Sequence, residues 1–209
     1  MDYLQLLTER YPQLEPLKTD IDAAFKTIVE SFTNGGKLLI AGNGGSAADA
    51  EHIVGELMKS FVRERKLPPD FHEKLKEVDP GIAEYLVPRL QGALPAIDLS
   101  AHASLNTACI NDMDGGIIFA QQIYGYAKKG DVFLAISTSG NSKNVLYAAV
   151  TAKAKGLKVI ALTGGDGGQL KEIADISIKV PEKETYKIQE LHLPVYHCLC
   201  LMIEERFFP

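Results

Sequence analysis

Two stretches of the chain combine residues suited to holding an oxyanion. Ser137-Thr138-Ser139-Gly140-Asn141-Ser142 carries four hydroxyls in six residues, and Gly42-Asn43-Gly44-Gly45-Ser46 carries three glycines in five. Glycines let the backbone approach a bound oxygen, and small hydroxyls donate hydrogen bonds. A helix that starts directly after such a turn adds free N–H groups and a favourable dipole. Either stretch alone would also serve as an ordinary turn and helix cap; two of them at equivalent places argue for a ligand. No Gly-Lys-Ser/Thr follows the glycines, and neither stretch is a G-x-G-x-x-G with an acid about twenty residues on, so a monophosphate fits better than ATP or NAD.

His52 and Glu56 stand four residues apart beyond the first stretch, on one face of a helix expected from about Ser46 to Ser60. That placement suits a metal pair or an acid–base pair, and equally a solvated helix face. Gln189 and His197 are eight residues apart on a helix expected over about 185–205, hence about 12 Å apart along its axis. They reach one ion only if long side chains converge midway or if neighbouring subunits supply the ligands, and the second arrangement puts the site near a subunit interface. Pro194 lies between them and removes a helical N–H, so a kink near Glu190 would change their separation. His197, among Val195, Tyr196, Leu199 and Leu201, also fits as a core histidine.

The elements that must position these residues follow from periodicity. Leu17, Ile21, Ala24, Phe25, Ile28 and Phe32 form one apolar helical stripe, ended by Asn34-Gly35-Gly36. Short apolar runs at 37–41, 96–99, 132–136, 159–162 and 176–180 read as buried strands, with helical segments between them. This alternation predicts an α/β fold, a three-layer sandwich with a central parallel sheet flanked by helices and ligands at the carboxyl ends of the strands. Residues 1–34 form an N-terminal helical segment of the single domain. Residues 63–93 break the rhythm at Pro68-Pro69 and Asp79-Pro80-Gly81 and read as an inserted helical hairpin or lid, or as a plain surface excursion.

With 209 residues, 46% of them hydrophobic and 23% charged, the chain is sized and composed for one autonomous domain. Its 22 Lys plus Arg against 27 Asp plus Glu leave no broad basic surface, so nucleic acid is not an expected partner. The amino terminus lacks a basic segment followed by an apolar core, and no run of about 18 apolar residues occurs, so a cytoplasmic protein without a membrane partner is expected. Cys109, Cys198 and Cys200 are odd in number and lack a C-x-x-C pair, which predicts buried reduced thiols.

Taken together, the two Gly/Ser stretches, His52, Glu56, Asn111-Asp112 and the segment from Ile188-Gln189-Glu190 to His197 resemble the sugar-isomerase (SIS) domain. Within it they are most similar to the sedoheptulose-7-phosphate isomerases, over nearly the whole chain outside 63–93. The resemblance implies a flavodoxin-like sandwich, a homotetramer with active sites at subunit contacts, and isomerisation of a sugar phosphate to a heptose phosphate. A heptose product points to bacterial cell-surface lipopolysaccharide. It further implies that Asn43, Gly44, Gly45, Ser46, Asn111, Asp112, Ser137, Thr138, Ser139, Ser142 and Gln189 line the sugar-phosphate site. His52, Glu56, Gln189 and His197 correspond to zinc-binding and acid–base positions, with one Zn²⁺ per subunit.

Moving a carbonyl between neighbouring carbons requires a base, an acid and stabilisation of an enediolate, and the assignment is Glu56 as base and His197 as acid. Two features depart from the family pattern: no aromatic follows Asn111-Asp112, and 63–93 is inserted just after the Glu56 helix. A non-catalytic SIS module that senses a phosphosugar or organises a protein partner is the rival reading; it would not need the four positions His52, Glu56, Gln189 and His197. Hydrolase or lyase chemistry would want further acids, for which Glu73, Glu77 and Glu84 are available, although these suit exposed helix faces.

Overall fold

Apolar runs without polar alternation must be covered on both faces, and each of these runs is followed by a stretch long enough for a crossover helix. The computed structural model, which describes residues 1–209, shows that outcome. Its first half comprises α1 (Tyr3–Arg10), a 3-10 turn (Pro12–Leu17), α2 (Lys18–Thr33), β1 (Leu38–Ala41), α3 (Gly45–Met58), α4 (Pro69–Val78), α5 (Pro80–Leu86), β2 (Ala96–Asp98) and α6 (Ala103–Asp112). The second half comprises a short 3-10 turn (Gly115–Ile117), α7 (Ile118–Tyr126), β3 (Val132–Ile136), α8 (Lys143–Ala154), β4 (Lys158–Gly164), α9 (Leu170–Ile173), β5 (Ile176–Val180) and α10 (Thr185–Phe207).

The five strands form one parallel sheet in the order β2-β1-β3-β4-β5, the flavodoxin-like order. Alternate residues of each strand face opposite layers. Leu38 and Ile40 of β1 pack with Ile21 and Ile28 of α2, Leu57 of α3 and Val195 of α10. Leu39 and Ala41 pack on the other side with Phe119 and Ile123 of α7 and Ala149 of α8. The expected three-layer sandwich is thus realised, with α10 running unbroken through Pro194. The three cysteines are buried and unpaired, and no helix is long and apolar enough to cross a membrane.

Within 63–93, α4 and α5 are short helices joined at Asp79, whose Oδ1 accepts the Ile82 N–H at 2.9 Å. Their Glu73, Glu77 and Glu84 are exposed. The stem of the insertion is closed by Gly92 N–H donating to Arg65 O at 2.8 Å and Leu94 N–H to Leu57 O at 3.0 Å.

Arg65 and Glu204 form a salt bridge at 2.7 Å in which neither side chain has any exposed surface. Arg65 also donates through Nη1 to Leu57 O and through Nη2 to Glu56 O, both at 2.7 Å, capping the end of α3. Glu204 accepts the backbone N–H groups of Phe61, Val62 and Arg63. Burial alone would raise the Glu204 carboxyl; those N–H donors and the Arg65 guanidinium outweigh it and hold the group below its ordinary value.

Glu204→Gln leaves the guanidinium buried without its counter-charge, so urea unfolding should show a loss of about 3–5 kcal/mol. Joint replacement by Arg65→Met and Glu204→Leu should recover much of that loss in the same measurement.

Candidate active site

In a 2-1-3-4-5 sheet the connections from neighbouring strands β1 and β3 leave in opposite directions, opening a crevice at their carboxyl ends. The two Gly/Ser stretches are the loops on either side of that crevice. They are tied together by a reciprocal amide pair: Asn43 Nδ2 donates to Asn144 Oδ1 at 3.0 Å, and Asn144 Nδ2 to Asn43 Oδ1 at 2.8 Å. Ser142 occupies the cap position of α8, yet its hydroxyl meets Ser137 Oγ at 3.0 Å instead of capping the helix. The first turn of α8 therefore keeps donors for an anion. Ser46 is buried at the start of α3, and Thr138 and Ser139 line an open polar pocket of about 470 Å³ together with Asn141, Asp166 and Lys183.

Gly140 adopts φ +65°, and a Cβ there would overlap the carbonyl of Gly167. The 164–168 loop after β4 thus buttresses the hydroxyl loop, and Asn141 Oδ1 reinforces the contact by accepting Gln169 N–H at 3.0 Å. Neither this glycine-rich loop nor Asn144 and Lys183 was singled out in the sequence. Four glycines in five residues after a strand were the available signal for the loop.

Further along α3 and α10, a carboxylate and two imidazoles meet. His52 Nε2 lies 3.1 Å from Glu56 Oε1 and 3.5 Å from His197 Nε2, and the two imidazole planes are nearly perpendicular. His52 Nδ1 is 3.1 Å from the hydroxyl of buried Tyr196, which in turn lies 3.2 Å from Asp49 Oδ1. Glu56 is buried, and its Oε2 has no hydrogen-bond partner, the Lys59 ammonium standing off at 3.6 Å. Burial, then His52, pushes His197 below the ordinary imidazole range, with Glu56 pulling the other way.

Gln189 is not in this cluster. Its amide lies against Gly45, so closely that a Cβ there would collide with it. Asn111 and Asp112 are exposed at the end of α6, where Asn111 Nδ2 donates to Asp112 Oδ1 at 2.7 Å and no hydrogen bond joins them to either loop.

The cluster suits a zinc ion in the kind of donor it offers. Nitrogen ligands about 2.0–2.1 Å from a tetrahedral zinc stand about 3.3–3.4 Å from one another, between the two separations seen at His52 Nε2. The unpartnered Glu56 oxygen adds a free electron pair. No group of three or more His, Cys, Asp or Glu is drawn up around one point within the single chain, so donor type and these two spacings are the extent of the fit.

Comparison with known proteins gives a consistent picture. A sequence model of the SIS domain matches residues 2–79 and 81–164. A phosphoheptose isomerase of a Nitratiruptor species is 41% identical over 193 residues, covering 92% of this chain and 89% of the relative. Solved phosphoheptose isomerases from Neisseria gonorrhoeae and Francisella tularensis superpose with TM-scores of 0.76 and 0.75 at 31% and 32% identity. These alignments cover 94% and 97% of this chain, and 91% and 95% of the respective relatives.

Gly140→Ala should abolish broadening of the phosphorus resonance of added inorganic phosphate while the circular dichroism of the protein stays native-like. A second expectation concerns His192, which is fully buried on α10 between Gln189 and His197 with neither ring nitrogen hydrogen-bonded. Burial, only partly opposed by the nearby Thr163 backbone, holds it down at about 4, well below its unfolded value. Between those values the unfolded chain binds the proton and the folded chain does not. Stability is therefore fully present above about pH 6.5 and falls by about 3 kcal/mol as the pH drops to about 4. Urea titrations across this range should show that component in the parent protein and not in His192→Leu.

Proposed function

The chain belongs to the SIS domain family, and from that membership and the geometry above we propose that it interconverts sedoheptulose 7-phosphate and D-glycero-D-manno-heptose 7-phosphate. It is a phosphosugar isomerase. In this reading the phosphate rests on Ser137, Thr138, Ser139 and Ser142, with Asn43, Gly44, Gly45, Ser46 and Gln189 along the sugar and Asn111 and Asp112 at its border. Eight residues of α10 separate Gln189 at the crevice from His197, a distance of about 12 Å and about the span of an extended seven-carbon sugar phosphate. The observation that carries the reading is a buried carboxylate with one oxygen free of hydrogen bonds, beside an imidazole, on the helix that starts at the glycine-rich loop of the crevice.

Glu56 takes the proton from C1 through Oε2, and the C2 carbonyl oxygen gains negative charge. His197 gives its proton to O2 and receives the proton from O1, and Glu56 returns a proton to C2, completing the aldose. The two oxygens of Glu56 divide the work: Oε1 faces His52 Nε2 while Oε2, without a hydrogen-bond partner, moves the proton. His52, Glu56 and His197 would hold a zinc ion, with Gln189 joining only by leaving Gly45, and a side chain holding the ion would have to leave it before moving a proton. When bound, the ion supplies Lewis-acid polarisation of the carbonyl. A module that only binds phosphosugars would have no use for an uncommitted buried carboxylate.

The proposal extends to a cytoplasmic homotetramer with its sites at subunit contacts. Three buried free thiols support a reducing compartment. An apolar groove of about 550 Å³ beside His197, lined by Tyr3, Leu7, Phe61, Val62 and Leu193, supports a subunit contact there, and sedimentation should report a four-chain particle.

Purified protein should convert sedoheptulose 7-phosphate, followed by NMR, with turnover that responds to Zn²⁺ and to chelator. Glu56→Gln should lower kcat by at least about 100-fold with little change in KM, and Ser139→Ala should mainly raise KM. Intact phosphosugar binding without turnover under any metal condition would move the assignment to a binding module.

A further inference from the structure

Behind the His52–Glu56–His197 cluster lies a hydrogen-bond chain that the proposed reaction does not use. Tyr196 is buried, and its hydroxyl stands between two groups, Asp49 Oδ1 at 3.2 Å and His52 Nδ1 at 3.1 Å. Asp49 Oδ2 is buried without a partner, so the phenol is the hydrogen-bond donor available to this carboxyl group. The phenol carries a single proton to share between these two neighbours.

The direction of each bond follows from counting protons. The Tyr196 O–H donates to Asp49 Oδ1 at 3.2 Å, the arrangement that an ionised carboxylate, which only accepts, requires. The phenol oxygen must then accept, and the neighbour able to donate is His52 Nδ1–H. A neutral imidazole carries one proton, which leaves a lone pair on Nε2. That lone pair faces Glu56 Oε1 at 3.1 Å and His197 Nε2 at 3.5 Å.

We propose that Asp49 and Tyr196 are positioning residues that fix the tautomer of His52, keeping its proton on Nδ1 and its Nε2 lone pair turned toward Glu56 and His197. They act on a cation in the cluster only through His52, and this part of the inference rests on the zinc reading above. A carboxylate that orients a ligating imidazole is a general device at metal centres; here a phenol is interposed between the two.

The test is nitrogen-15 NMR of the metal-free, substrate-free protein at about pH 8, above the reference imidazole value of about 6.5. It is paired with Zn²⁺ affinity measured by competition with a chromophoric chelator. The parent protein should show His52 protonated on Nδ1. In Asp49→Asn the amide can donate to the phenol oxygen, which turns the phenol proton toward His52 Nδ1 and should move the imidazole proton to Nε2. Tyr196→Phe should give a mixture of tautomers, and both variants should bind Zn²⁺ roughly 10- to 100-fold more weakly. Both replacements preserve side-chain shape, and a merely structural role would weaken zinc binding without reversing the tautomer in Asp49→Asn. A proton on Nε2 in the parent, or an unchanged tautomer in Asp49→Asn, would overturn the proposal. Because the tautomer is read without metal or substrate, an inactive protein with the proton on Nδ1 supports these positioning roles and counts against the isomerase reading alone.

Discussion

The Arg65–Glu204 pair has no exposed surface, and the alignment of α3 with α10 depends on it. Taking two charges out of water costs about as much as their attraction returns, so a well-packed apolar pair would serve stability equally well. What an apolar pair lacks is direction. Arg65 binds the last carbonyls of α3, Glu204 binds three successive N–H groups of the connecting segment, and the two meet at 2.7 Å. Three contacts then align the helices: Gln189 on Gly45 at the crevice, His197 on His52 in the middle, and Glu204 on Arg65 at the far end. A slip of one helical turn, about 5.4 Å, would separate every donor in the cluster from its neighbour.

The crevice itself is a product of strand order. Because β1 and β3 are neighbours whose helices pack on opposite faces, their loops part at the crest, and the Asn43–Asn144 amide pair holds the opening at one width. Rigidity on the hydroxyl side comes from backbone meeting backbone at Gly140 and Gly167, where any side chain on Gly140 would be in the way. Loops carry the groups proposed to bind phosphate, and the sheet and a second loop buttress them.

The strands were legible in the sequence because a buried parallel strand is an unbroken apolar run, and all five runs became strands within a residue or two of the expected ends. The two Gly/Ser loops were legible from composition, and the structure sets them on either side of the crevice. Periodicity on α3 and α10 gave the faces of His52, Glu56 and His197, and the eight-residue spacing already kept Gln189 apart from His197. What escaped notice depends on partners far away in the chain. Asn144 reads as an ordinary helix residue until Asn43 is brought opposite it, and Arg65 reads as one of several charges in a polar segment until Glu204 arrives, 139 positions on. α6 is only weakly amphipathic and is exposed over most of its length, so it gave little periodic signal.

A buried polar atom without a partner is destabilising by about 1–3 kcal/mol, and Glu56 Oε2, Asp49 Oδ2 and the two ring nitrogens of His192, one a donor and one an acceptor, are all in that condition. For Glu56, in the role proposed for it, the missing bond has a chemical use. A carboxylate already accepting two strong hydrogen bonds is a poor base, because each bond stabilises the charged form it must give up. The fold therefore meets opposite demands at two neighbouring carboxylates on parallel helices. Glu204 is saturated with donors and is structurally inert, whereas Glu56, whose own backbone carbonyl is held by Arg65, keeps one oxygen free. The Arg65 guanidinium and the N–H groups of the connecting segment are spent on Glu204 and on the helix end, and the Lys59 ammonium stands 3.6 Å from Glu56 Oε2, beyond hydrogen-bond reach, which leaves the proposed base its free oxygen.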